Sequence, residues 1–221
     1  MRELRCKFLV FNELSAFLKI GSLHLTIVND GSIHGFDASE TGLLDEFSSE
    51  IGLLNSPENL GKGHSLRLGV RHSVADFYLL TDADFPYKLE SMVAVLQKLM
   101  EKGGVVAGFR EPNYYENVPF TRRLLSKGLR FVLENWLRLP TSDSQCGLKA
   151  FDRTGRDLFL KTRINRFLFD LEFLRMASRT PDLPVSTVAV ELREGVVFSQ
   201  VGWKILLTEA VNFFKILSSS H

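Results

Sequence analysis

Apolar positions along this chain follow two rhythms: short continuous runs, and longer stretches in which they recur every three or four residues. The runs Lys7–Phe11, Leu23–Val28, Ile51–Leu54, Phe77–Leu80, Gly104–Phe109 and Thr187–Leu192 predict strands. Phe77–Leu80, unbroken and bounded by polar residues, has the pattern of a strand buried on both faces of a parallel sheet. The slower rhythm predicts helices over Glu13–Ile20, Leu43–Ser49, Leu89–Glu101, Leu124–Trp136 and Trp203–Leu217. One more follows the turn Gly61-Lys62-Gly63 and ends near Val74-Ala75, and another begins at Arg166–Glu172. Strands and helices in alternation predict an α/β fold with a mostly parallel central sheet flanked by helices.

Most of this pattern is packing. Leu89, Met92, Val93, Leu96, Leu99 and Met100 share one helix face, the spacing of a helix lying on a sheet, and no chemistry is assigned to them. The chemistry is expected in Asn59–Tyr87, which reads as a glycine turn, a helix, a buried strand and then Thr81-Asp82-Ala83-Asp84. That last segment falls at the carboxyl end of a strand, where open α/β sheets place their ligands. Two aspartates two residues apart repel each other, and the neighbouring sequence offers neither an obvious partner. A divalent cation, Mg2+ or Mn2+, resolves that cost by taking carboxylate oxygens and completing its shell with water and phosphate. Taken alone, Asp82 and Asp84 better suit the start of a turn before Pro86, and it is their context that favours a cation. Asn29-Asp30-Gly31-Ser32 has the same double reading, an ordinary turn or a place where Asp30 accepts hydrogen bonds from a nucleotide.

Composition narrows the classes. At 221 residues with 45% hydrophobic content the chain suits one folded domain, 1–221, and a formal net charge of +1 argues against a nucleic-acid partner held by bulk charge. Cys6 and Cys146 are too few and too far apart for a disulfide framework or zinc site, so a reducing cytoplasm is expected. Cys146 reads as a small buried residue rather than a nucleophile. No apolar run suits a signal peptide or reaches the ~18 residues that cross a bilayer. Trp203–Leu217 is amphipathic and aromatic, which suits packing on the domain or peripheral contact with the cytoplasmic membrane face.

The order N-x-G-K-G, helix, hydrophobic strand, D-A-D resembles the family-two glycosyltransferases of the GT-A fold, in particular the branch of dolichyl-phosphate mannose and glucose synthases. The segment from Thr141 to Phe151, with Gly147-Leu148-Lys149-Ala150-Phe151, resembles that family's D-x-x-x-G-F-(K/R)-A-F. This resemblance implies an inverting hexosyltransferase that takes a nucleotide-sugar donor, uses Mg2+ or Mn2+, and passes the sugar to an acceptor such as a polyprenyl phosphate. It implies donor contacts from Phe11, Asn12, Glu13, Asn29, Asp30, Lys62, Asp82 and Ala83, and a metal at Asp82 and Asp84. Asp84, Asp143 and Asp170 become the candidate catalytic acids, with Glu172 behind Asp170. Acceptor or phosphate contacts are expected from Arg110, Arg122, Arg123, Gln145, Gly147 and Arg193. Guanidinium groups suit phosphate because they bind it in two-point geometry.

The chain departs from the family where it has Asn29 in place of an aspartate and lacks a proline in Leu9-Val10-Phe11. Three rivals remain beside this reading: transfer to a saccharide hydroxyl, which requires a base such as Asp170 or Asp143; a nucleotidyltransferase, whose glycine-rich first loop is missing; and a non-catalytic nucleotide-sugar binder. Gly61-Lys62-Gly63 lacks the spacing of a P-loop.

Overall fold

A computed structural model describes residues 22–32, 51–111, 141, 143–144, 146–166 and 168–194. In chain order the elements are β1 (Leu25–Asp30), β2 (Ile51–Ser56), α1 (Lys62–His72), β3 (Phe77–Leu80), α2 (Leu89–Lys102), β4 (Val105–Phe109), β5 (Lys149–Asp152), α3 (Arg153–Phe159), α4 (Phe169–Arg179) and β6 (Val185–Ala189). The expected strand Lys7–Phe11 and helices Glu13–Ile20, Leu43–Ser49, Leu124–Trp136 and Trp203–Leu217 lie outside the described residues.

β1 and β2 pair in parallel, while β3, β5, β4 and β6 form a second sheet in that order. β4 and β6 are parallel, but β5 runs antiparallel to both of its neighbours. The first sheet is therefore parallel and the second mixed, and β3, expected to be buried on both faces of a parallel sheet, instead pairs antiparallel with β5 and leaves Phe77 exposed. This reversal has a consequence for the site, because it brings the start of β5 to the same edge as the ends of β3 and β4.

Period-two alternation distributes the core over two layers. Val105 and Ala107 of β4 join Phe151, Phe159, Phe169 and Phe173 on one side of the sheet. Val106 faces the other way, with Ala150, Leu148 and the α2 residues Met92, Val95, Leu96 and Leu99. The predicted apolar face of α2 is thus the buried one. On the opposite layer the Phe151 ring stacks on Phe159 at 5.3 Å and meets Phe173 edge-on at 5.4 Å between centroids, the offset and T-shaped arrangements that aromatic quadrupoles favour.

Several boundaries differ from expectation: β1 covers Leu25–Asp30 rather than Leu23–Val28, so Asn29 and Asp30 lie in the strand, and β2 runs on to Ser56. α1 stops at His72, where Ser73 leaves the helix and its hydroxyl returns to the Gly69 carbonyl at 2.8 Å. β6 begins at Val185 and ends at Ala189, and the chain then crosses to lie along Pro86–Lys88, with Leu192 bridging Tyr87. α3 had no rhythm to announce it, since its start rests on Asp152, whose carboxylate accepts the Gly155 N–H at 2.9 Å as an N-cap. Among the described residues no helix is long and apolar enough to cross a membrane.

Candidate active site

The sheet edge that receives the ends of β3 and β4 and the start of β5 gathers most of the polar chemistry. In the sheet register Lys149 lies beside Leu80 of β3 and Ala107 of β4, so Asp82, Arg110 and Gly147 all emerge at one rim. Asp82-Ala83-Asp84-Phe85 makes a tight turn, closed by the Phe85 N–H donating to the Asp82 carbonyl at 2.9 Å. Phe85 adopts φ 46, a left-handed backbone unusual for a bulky residue, and its ring is anchored in the core. The turn presents Asp84 to solvent, with no hydrogen bond or ion pair from its carboxylate to the described residues.

Asp82, expected to lack a protein partner, has one. The Lys62 ammonium donates to Asp82 Oδ1, because α1 starts beside the exit of β3 and its first residue points across that exit. Asp82 Oδ2 faces Gly147, where a built Cβ would stand 2.3 Å away and 3.4 Å from Lys62 Nζ. Any side chain at Gly147 would displace the pair.

A second ion pair lies beneath. Lys149 Nζ is 2.7 Å from Asp170 Oδ1, with side chains only 1% and 6% exposed, and it also donates to the Cys146 carbonyl. Burial pushes the Asp170 carboxyl above its ordinary value by more than the charges of Lys149 and Lys62 pull it down. Burial alone would lower the Lys62 ammonium, but Asp170 and Asp82 outweigh it and hold that group above its usual value. The acids and cations thus alternate as Asp82, Lys62, Asp170, Lys149. Tyr87 completes the support, its buried hydroxyl accepting the Gly147 N–H at 2.8 Å and lying 3.4 Å from Cys146 Sγ. Cys146 is fully buried, and burial raises its thiol, which fits the expectation of a packed rather than reactive cysteine.

Arg110 and Asp143 are committed to each other. Arg110 Nε and Nη2 donate to the two carboxylate oxygens at 2.7 and 2.8 Å, and its backbone N–H adds a third contact at 3.1 Å. Burial works against the Asp143 charge, yet these bonds and the guanidinium charge hold its carboxyl below the usual range. A carboxylate so held is a poor proton acceptor.

Asp30 and Asn29 are likewise engaged. The Asp30 oxygens accept the Leu60 and Gly61 N–H groups, both at 2.9 Å, so this acid caps the approach to α1. Asn29 accepts the Ser32 N–H at 3.1 Å and donates to Asn55 at 3.2 Å. The Asn165 carbonyl takes the Gly63 N–H at 2.7 Å and the His64 N–H at 3.2 Å, occupying further donors of the α1 terminus. Glu172 accepts the Arg163 and Ile164 N–H groups at 2.9 and 2.8 Å.

Arg193 reaches the site from the far side, with Nη2 donating to the Asp84 carbonyl at 2.5 Å and its own N–H donating to Pro86 at 2.8 Å. Arg193 Nε and Thr81 Oγ1 are buried without a hydrogen-bond partner among the described residues. Ala83 forms the exposed crest of the turn. Phe11, Asn12, Glu13, Arg122, Arg123 and Gln145 lie outside the described residues.

Lys149 and Tyr87 received no role from the sequence. A lysine inside the otherwise apolar Leu148–Phe151 was the available signal for the first; nothing local distinguishes the tyrosine. The donor set suits a hard divalent ion that needs few protein ligands: Asp84 is open and Asp82 has one oxygen free of Lys62, although no group of three or more histidine, cysteine or acidic side chains gathers among the described residues.

Residues 13–159 match the sequence profile of glycosyl transferase family 2. The chain is 32% identical to a dolichyl-phosphate beta-glucosyltransferase of Trichomonas vaginalis over 77% of its own length and 54% of that protein. A Drosophila melanogaster protein of the same description is 33% identical over 76% of this chain and 55% of its own. The chain spans little more than half the length of these relatives. In three dimensions it resembles glucosyl-3-phosphoglycerate synthase of Mycobacterium tuberculosis, with a TM-score of 0.55 at 14% identity over 95% of this chain and 85% of that one. The same synthase has been crystallised with Mn2+, uridine diphosphate and phosphoglyceric acid, and in that form the TM-score is 0.52 at 15% identity, over 95% of this chain and 83% of that one. These likenesses give the fold, GT-A.

Proposed function

Since the chain belongs to glycosyl transferase family 2, we propose that it moves a hexose, glucose by the description of its relatives, from a nucleoside diphosphate to a polyprenyl phosphate of the dolichyl type. The observation that carries the choice of acceptor is the state of the acids. Asp143 is held by Arg110 and Asp170 by Lys149, so neither expected base has a carboxylate available to a sugar hydroxyl. A phosphate acceptor is already anionic near neutral pH and needs no such base. One of its oxygens attacks the anomeric carbon, the bond from that carbon to the diphosphate oxygen breaks, and the nucleoside diphosphate leaves from the opposite face with inversion.

Asp82 and Asp84 would hold Mg2+ or Mn2+, which when bound supplies neutralisation of the charge on the departing diphosphate. The protein's own groups do the rest. Lys62 adds a positive charge at the same rim, and Tyr87 and Lys149 hold the Cys146–Gly147 backbone against Asp82 so that the floor of the site stays in place. Arg193 donates to the Asp84 carbonyl and so steadies the turn that carries that acid.

Radiolabelled UDP-glucose incubated with the protein, Mn2+ and dolichyl phosphate should yield label in the organic phase as an acid-labile glycolipid, dependent on the acceptor. Label that passes only to saccharide or to water while the lipid stays unmodified would overturn this acceptor. No turnover of UDP-, GDP- or dTDP-sugars, with saturable binding retained, would favour a non-catalytic binder.

A further inference from the structure

Lys62 stands where a site built to greet a free metal ion would leave an acid open. Its ammonium occupies one oxygen of Asp82, and the other oxygen lies against the Gly147 backbone, close enough that a single added carbon would clash. Asp82 is therefore half-exposed but already paired, while Asp84, two residues on, is exposed and carries no ion pair among the described residues. One open carboxylate makes a weak seat for a divalent ion, which is strongly hydrated and gives up water only for several good oxygens. Lys62 is also poised between two anions. Asp170, the second, is buried and paired through Oδ1 with Lys149, and stays close enough to contribute to the Lys62 environment. Neither a simple metal seat nor a simple phosphate-binding lysine requires that pairing.

We infer that Lys62 is the resident counter-cation of Asp82, keeping that acid neutralised until a donor diphosphate arrives to accept the lysine, so that the metal and the nucleotide enter together rather than the ion first. This rests on the donor site proposed above. In the free protein the lysine and an incoming ion compete for the same carboxylate. With a diphosphate present the competition ends, because the lysine transfers its charge to phosphate oxygens and Asp82 is released to the ion. The ammonium and the divalent ion then lie on the same diphosphate, and the charge count at the rim stays balanced at each stage. The same exchange makes Lys62 a positioning residue for the acid before binding and a phosphate contact after it.

The two roles predict effects of opposite sign. Manganese binding is measured on the full chain by the loss of free-ion electron paramagnetic resonance signal, first with Mn2+ alone and then with saturating UDP. Replacing Lys62→Met should tighten binding of Mn2+ alone by about three- to fivefold, the scale of a half-exposed ion pair removed as competitor. It should weaken Mn2+ binding in the presence of UDP. Lys62→Gln should repeat both changes, and Lys62→Arg, which retains the charge, should leave binding of the lone ion weak. Thermal melts identify any variant that has lost the fold, and the glutamine variant keeps the comparison if methionine is not tolerated. Binding of Mn2+ alone that is unchanged or weaker in both neutral variants overturns the inference. Adding Asp84→Asn separates its failure from that of the site: a gain that survives this change places the ion elsewhere and overturns the metal seat itself, whereas no gain, with wild-type binding still lost in Asp84→Asn, overturns only the part given to Lys62.

Discussion

Gly147 touches the Lys62–Asp82 pair through empty space that only a hydrogen can occupy. A methyl group there would stand 2.3 Å from Asp82 Oδ2, well inside any contact distance. Gly147→Ala should therefore push the part-exposed Asp82 carboxylate aside, lowering donor affinity while costing no more than about 1 kcal/mol in denaturant unfolding, since the end of a side chain can give way where backbone could not. Asp143 makes a different prediction because its folded carboxyl titrates below its unfolded value of about 3.9. The charge contributes stability above that value, and the contribution is lost as pH falls through the depressed folded value. Asp143→Asn should cost about 3 kcal/mol at neutral pH, because Arg110 loses its two-point partner in a largely buried setting. The deficit against wild type should shrink below about pH 4, which urea melts at a series of pH values would show. A deficit that stayed constant into acid would mean that the charge of Asp143 contributes nothing.

Among the elements, α1 does most to assemble the rim. Its first residue supplies Lys62, its approach is capped by Asp30 from the end of β1, and Arg67 from its middle reaches Thr162 at 3.1 Å and the Ile164 carbonyl at 2.8 Å. Gly63 lets the helix sit against the start of α4: a Cβ there would be 2.5 Å from the Ile164 carbonyl oxygen and 2.7 Å from Phe169 Cβ. Backbone and core atoms have no room to yield. Gly63→Ala should destabilise by about 1–3 kcal/mol, although alanine is the better helix former, and calorimetry should record a lower melting temperature. A melting temperature equal to or above wild type would show that the 164–169 segment is not fixed against α1. The sequence had made Gly63 a turn residue; its place inside the helix follows from the tertiary contact, which local pattern does not encode.

At the scale of the whole molecule, Asp82 and Asp84, to which we give the donor, lie at one sheet edge, and the amphipathic Trp203–Leu217, outside the described residues, has a pattern that suits packing on the domain or contact with a lipid-bearing surface. Replacing Trp203, Phe213 and Phe214 together by serine should reduce co-sedimentation with anionic vesicles while turnover of a short, water-soluble polyprenyl phosphate analogue is retained; unchanged co-sedimentation would assign that segment to packing alone. By itself the sequence determined, among the described residues, most of the strands and helices with a continuous apolar rhythm, the position of Asp82 and Asp84 at a strand exit, and the family, because each depends on residues close together in the chain. Only the tertiary structure decided the direction of β5, the burial of Lys149, the pairing of Arg110 with Asp143 and the hold of Lys62 on Asp82. Those depend on which charges the fold brings within reach of one another: Lys62 is twenty positions from Asp82, and Arg110 thirty-three from Asp143. The energy of a charge is set by its neighbours in space and by how much water is left around it, and neither quantity is written in the order of the residues.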